Sequence, residues 1–91
     1  MYSIKWTKQA YKSYKCLHIG NETFQISLDQ VIEILKKLPK SFPFDETFEV
    51  HKVVIVKRCI LFYHIIESKK EVHLLLFFDT KANPKHIKQL I

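Results

Sequence analysis

The sequence predicts an α+β domain: an N-terminal strand, an αα-hairpin, a three-stranded antiparallel meander forming one sheet with the N-terminal strand, and a short C-terminal helix. Three observations carry this prediction. Between Val50 and Pro84 lie three apolar runs, Val53–Val56, Cys59–Ile66 and Val72–Phe78. They are rich in β-branched and aromatic residues and bounded by charge, as strands are. Tyr2-Ser3-Ile4-Lys5-Trp6 alternates with the period of a half-buried strand. Between these two regions apolar residues recur at helical spacing.

With 91 residues, the chain is read as one domain over residues 1–91 with a single modest core. A composition 47% hydrophobic and 26% charged places it among globular rather than disordered chains. Each apolar run is shorter than the ~20 residues of a membrane span, so no membrane association is expected. Met1-Tyr2-Ser3 leads straight into the alternating stretch without an apolar leader. Cys16 and Cys59 lie far apart without CxxC spacing, so free thiols in a reducing cytoplasm are expected. The net charge is +6, and Arg58 is the single arginine among 15 basic residues. That balance favours an acidic partner, whether nucleic acid or an acidic protein segment, although a charge of this size also serves solubility.

In chain order, Tyr2, Ile4 and Trp6 are expected to point inward from the first strand. Thr7 is a suitable N-cap for a helix over about residues 8–19, with Ala10, Tyr11, Tyr14 and Leu17 as its apolar stripe. Lys8, Lys12 and Lys15 fall together on another face, which a solvated surface explains without a ligand. Gly20 fits the left-handed position beyond a helix end. The second helix starts either after Asn21 or at Ser27, where Gln30 completes a capping box. Phe24, Leu28, Val31, Ile32, Leu35 and Leu38 give it helical periodicity, and it stops before Pro39 with Lys36 and Lys37 in its last turn. Residues 40–48 read as a loop, its acidic cluster structural.

Two-residue turns at Lys57-Arg58 and Ser68-Lys69 would place His51 opposite His64 and His64 opposite His73, a row of three histidines on the open face. The other face would carry Val54, Val56, Leu61, Tyr63, Ile65, Val72, Leu74, Leu76 and Phe78 toward the helices. Neither turn has the Gly or Asn that two-residue hairpins favour, and a slip of one residue flips every side chain. Imidazole suits zinc, but polar residues on a partly open face explain the row, and neither metal nor cofactor is expected. Asn83-Pro84 reads as an N-cap followed by Pro at the first helical position. The last helix would bury Ile87, Leu90 and Ile91 and leave Lys81, Lys85 and Lys88 outside.

With this order go Trp6 ahead of helix one, Leu38-Pro39 at the end of helix two, Leu61-Phe62-Tyr63 in the central strand, and Phe77-Phe78-Asp79-Thr80-Lys81-Ala82-Asn83-Pro84. Together these resemble the RelE/ParE superfamily of toxins from bacterial type II toxin–antitoxin systems, over essentially the whole chain. The resemblance implies a growth-inhibiting toxin of a plasmid-stabilising (addiction) module, cytoplasmic and neutralised by a cognate antitoxin, as a dimer or a toxin–antitoxin hetero-oligomer.

RelE-like members are ribosome-dependent mRNA endonucleases that use clustered Lys and Arg, commonly with a C-terminal Tyr. Cations stabilise the charge that builds when a 2′-OH attacks the adjacent phosphate. Carried over to this chain, the set is Lys81, Lys52 and Arg58 with a histidine base, His64 foremost and His51 or His86 as alternatives. Ile60 stands roughly where a central-strand Arg is expected, and no Tyr follows Lys81. ParE-like members poison DNA gyrase by binding it, and the Asp-x-Lys-x-Asn-Pro tail sits closer to that branch. The residues expected to meet a target or antitoxin are His51, His64, His73, Lys81, Asn83, Lys85 and Lys88. Three readings stand: a ParE-like binding toxin, favoured; a RelE-like ribonuclease; and a non-toxic basic interaction module or decayed toxin.

Overall fold

The three apolar runs form the middle of a five-stranded sheet. The computed structural model describes residues 1–17 and 22–81. Strand β1 (Ser3–Trp6) leads into helices α1 (Lys8–Cys16) and α2 (Glu22–Lys37). A turn of 3-10 helix at Pro39–Ser41 follows, then strands β2 (Phe44–Asp45), β3 (Val50–Val56), β4 (Cys59–Ile66) and β5 (Glu71–Asp79). The strand order is β1-β5-β4-β3-β2. β1 lies parallel to β5, with Ile4 opposite Val72, and the other neighbours are antiparallel. This is the predicted α+β arrangement with one addition. The stretch read as a loop contributes β2, which sets Phe44 opposite His51. No described helix is long and apolar enough to cross a membrane.

Thr7 caps α1 as expected: its hydroxyl oxygen accepts from the Ala10 N–H at 3.1 Å. The same hydroxyl donates to the Leu74 carbonyl at 2.8 Å, so the cap also fixes the helix start to β5. α1 ends at Cys16, earlier than the spacing predicts. Leu17 is already extended, and its N–H reaches back to the Tyr14 carbonyl. Gly20 and Asn21 lie outside the described residues. α2 begins at Glu22, so the earlier of its two possible starts is the one used, and Ser27 is interior. An acidic residue opens α2 and two lysines close it, the arrangement the helix dipole favours.

The main core lies between the helices and one sheet face. Leu28 and Leu35 from α2 meet Leu61, Tyr63, Val72 and Leu74, each at most 1% exposed. A second, smaller apolar cluster, Val50, Phe62, Leu76 and Phe78 with Phe48 packed against it, forms on the opposite face.

Two bulges decide which residue joins which cluster. The turn at Lys57-Arg58 holds two residues as expected, with Val56 opposite Cys59. One step on, Val54 is opposite Ile60, so Ile55 is an extra residue on β3 and the alternation slips. His51 therefore pairs with Tyr63, not His64. On β5, Leu75 is extra: Phe62 faces Leu76 while Tyr63 faces Leu74. These slips correct the expected helix-facing set. Val54 is exposed, and Leu76 and Phe78 belong to the second cluster, whereas Val53, Ile55 and Phe77 join the main core. The last turn is also longer than expected. It spans Glu67 to Lys70, which is left-handed at φ 52°, yet His64 still meets His73.

Three apolar residues read as inward-facing are more open than expected. Trp6, Tyr11 and Leu38 are 40%, 52% and 64% exposed. Trp6 nevertheless stacks on Phe77 at 5.3 Å. The expected last helix from Asn83 lies outside the described residues.

Candidate functional site

β4 and β5 sort the expected site residues into two groups at opposite ends of their hairpin. At one end Cys59 faces Asp79, and the Thr80 N–H donates to the Arg58 carbonyl at 2.9 Å. The Arg58 guanidinium lies 3.6 Å from the Asp79 carboxylate. The other Asp79 oxygen accepts from the Lys81 N–H at 2.9 Å. Arg58 Nε is buried with no hydrogen-bond partner among the described residues, and Lys81 is exposed. Asp79 thus links the Arg58 guanidinium to the Lys81 main chain.

At the other end are the histidines. His64 is exposed and directly opposite His73. His73 Nε2 lies 3.1 Å from Glu71 Oε1, and this hydrogen bond holds the Glu71 carboxyl below its ordinary range. His51 is absent from this row. Its pairing with Tyr63 puts it on the helix side, where the two rings stack at 5.3 Å and 22° and Phe44 meets the imidazole edge-on at 5.1 Å. Burial lowers the His51 pKa, and the neighbouring charges of His64 and Lys40 add to the shift. Tyr63 beneath it donates its hydroxyl to the Pro39 carbonyl at 2.6 Å, and burial pushes the phenol pKa up.

Lys52 is occupied elsewhere. Its ammonium lies 3.1 Å from Asp45 Oδ2, while Asp45 Oδ1 accepts from the Thr47 and Phe48 N–H groups at 2.9 and 3.3 Å. The Lys52 hydrogen bond, joined by these backbone donors, holds the Asp45 carboxyl down. Asp45 is thus tied into its own turn.

Asp79, opposite Cys59, alternates onto the helix side, whereas between the two ends the face that carries His64 is apolar. Phe62 and Leu76, opposite one another, are 3% and 2% exposed. From Arg58 to His64 are six strand steps, about 20 Å at the usual rise. Asn83, Lys85, His86 and Lys88 lie outside the described residues.

Cys59 is fully buried, and burial, with the Asp79 charge second, pushes its thiol up to about 12, far from a reactive thiolate. Cys16 is exposed, and both are free. Among the described residues no group of three or more His, Cys, Asp or Glu is placed to hold a metal. The sequence reading missed the carboxylates that hold Lys52 and Arg58. Their signal was faint: Asp45 and Asp79 become neighbours of those cations only through β2 and the β4–β5 register.

No protein-family model matches the chain, and no curated protein sequence does. Solved structures do match. A chain of the intact E. coli RelBE toxin–antitoxin complex aligns with a TM-score of 0.72 and 16% identity, over 91% of this chain and 99% of that one. The YoeB/ParE toxin from Agrobacterium tumefaciens gives 0.70 and 12%, over 85% and 96%. A metal-bound toxin from Helicobacter pylori gives 0.69 and 18%, over 89% and 97%. At these scores and coverages this chain has the fold of the RelE/ParE superfamily of toxins.

Proposed function

We propose that the chain is the toxin component of a type II toxin–antitoxin module, and that it arrests growth by binding a cellular target rather than by cutting RNA. DNA gyrase is the target that the resemblance to the ParE branch implies. An antitoxin segment, acidic to complement a net charge of +6, neutralises the protein. Fold likeness to RelBE and to YoeB/ParE supports the toxin reading.

The observation behind the binding mechanism is the separation of the expected catalytic groups. Cleavage through a 2′-OH needs a base and stabilising cations within hydrogen-bonding reach of one phosphate. Here Arg58 and Lys81 sit at one end of the β4–β5 hairpin and His64 at the other, about 20 Å apart along the strand. Phe62 and Leu76 lie between them, and both Lys52 and Arg58 are partnered by carboxylates.

The test is inducible expression in bacteria without an antitoxin, following growth and mapping mRNA 5′ ends in the same cells. Arrest with intact messages, together with DNA breakage, is the expected result. New cleavage sites within translated messages, lost in Lys81→Ala, would establish the ribonuclease reading instead. Normal growth would remove the toxin activity and leave a basic interaction module.

A further inference from the structure

A cleft opens where the end of α2 meets the start of β1. The Tyr2 N–H donates to the Lys36 carbonyl at 2.8 Å, which pins the start of the chain to the last turn of the helix. Tyr2, Lys37, Leu38, Pro39, Lys40 and Ser41 line a space of about 310 Å³. Pro39 is buried, whereas Leu38 is 64% exposed. Leu38 is thus a large apolar side chain that the core does not use.

The charge around this cleft is one-sided. Lys36, Lys37 and Lys40 come from the end of α2 and the turn after it. The Lys70 ammonium lies 5.6 Å from the centre of the Tyr2 ring. The carboxylates bonded here are already held. Glu33 pairs with Lys36 at 3.2 Å. Glu67 is clasped from two sides: Lys40 Nζ lies 3.0 Å from its Oε1, and the Tyr2 hydroxyl donates to its Oε2 at 2.9 Å. The Lys40 hydrogen bond, then that of Tyr2, holds the Glu67 carboxyl below its ordinary range. Lys37 and Lys70 have no carboxylate at ion-pairing distance among the described residues.

Tyr2 and Lys40 therefore form a carboxylate clasp that the chain fills with its own Glu67. We propose that this cleft docks an acidic protein segment, which sets one apolar side chain on Leu38 and its carboxylates on Lys37, Lys40 and Lys70. Charge complementarity gives the chemistry of the partner, and Glu67 shows the group that the clasp takes. The Lys40–Glu67 pair is 69% and 50% exposed, so exchanging its carboxylate for another costs little. A phosphate backbone would satisfy the lysines and leave Leu38 in water, so the apolar floor favours protein over nucleic acid. The space is at the lower end of ligand pockets, ~300–1,000 Å³, and takes a side chain rather than a whole helix. The inference rests on the proposed function only for which protein carries the acidic segment.

Fluorescence anisotropy with the whole chain and a labelled peptide, a single leucine flanked by glutamates, tests this at low and high salt. Micromolar binding that weakens with salt is expected. Leu38→Ser weakens it roughly tenfold, as does serine in place of the leucine of the peptide. Lys37→Gln with Lys40→Gln weakens it by a similar factor. Lys8→Gln with Lys12→Gln removes the same charge from α1 and changes it less than about twofold. Glu67→Gln tightens binding about threefold, because the clasp then holds no internal carboxylate. Circular dichroism shows that each variant keeps its fold, which these exposed positions allow. A peptide that fails to bind up to ~1 mM at low salt overturns the proposal. So does a loss that the α1 pair matches, which reduces the binding to net charge, or a single-stranded oligouridylate that binds this cleft more tightly than the peptide. No cells enter the assay, so peptide binding and growth arrest fail independently of one another.

Discussion

β3, β4 and β5 face two different surroundings. On the helix side Leu61, Tyr63 and Leu74 are completely buried under α1 and α2. The buried Tyr63 hydroxyl there is satisfied by the Pro39 carbonyl. On the far side the apolar patch is smaller, and charged groups border it: Lys52 with Asp45, His73 with Glu71. The difference teaches that one set of strands carries both a packed core and a second, partly open surface. A single extra residue in β3, and another in β5, decides which side chain goes to which.

Four substitutions sharpen this comparison. The largest contrast sets Leu61→Ala against Val54→Ala. Leu61 is 0% exposed, and truncating it leaves a cavity that costs about 3 kcal/mol. Val54 is 62% exposed, and its truncation stays within about 0.5 kcal/mol. Urea unfolding of both variants measures the two costs, and equal costs would break the assignment of faces made by the bulge.

Tyr63→Phe comes next. It keeps the ring and removes the hydroxyl bond to Pro39, leaving a buried carbonyl unpaired, so about 1 kcal/mol is lost in the same measurement. The smallest effect is one of pH. His51 binds its proton less tightly in the folded chain than in the unfolded one, because burial disfavours the charged ring. The unfolded state therefore takes up more protons as pH falls. The stability that neutral His51 contributes is full above its ordinary value near about 6.5, and is lost as pH drops through the lower folded value. His51→Phe keeps a ring against Tyr63 and flattens the decline between neutral pH and pH ~5, which thermal melts across that range detect.

Much of the helix side was legible because period two and period 3.6 are strong signals when both faces of an element differ. Leu61, Tyr63, Val72 and Leu74 on the sheet, and Leu28, Val31 and Leu35 on α2, are where those periods put them. His51 was not legible. Nothing in Val53-Val54-Ile55-Val56 marks Ile55 as the extra residue, since all four side chains are apolar and β-branched. β2 was hidden for another reason: Phe44-Asp45 follows Pro43 and precedes two turn-forming polar residues, so local chemistry reads as loop while the pairing comes from distant Val50 and His51. The site was less legible than the fold. Arg58 meets Asp79 because of the β4–β5 register, and Tyr63 finds Pro39 across 24 residues.

The parallel pairing of β1 with β5 also sets an order of events in synthesis. The first strand of the chain docks on the last, Ser3 opposite Glu71 and Trp6 opposite Leu74, and β5 lies between β1 and β4. Until β5 has left the ribosome, β1 has no neighbour in the sheet, and the cap of α1 lacks the Leu74 carbonyl that anchors it. Closing so long a loop delays the native contacts. A nascent chain shorter than β5 therefore holds two amphipathic helices and an incomplete sheet, and the finished surface exists only once translation of the whole domain is done. The chain thus acquires its complete sheet in one late step.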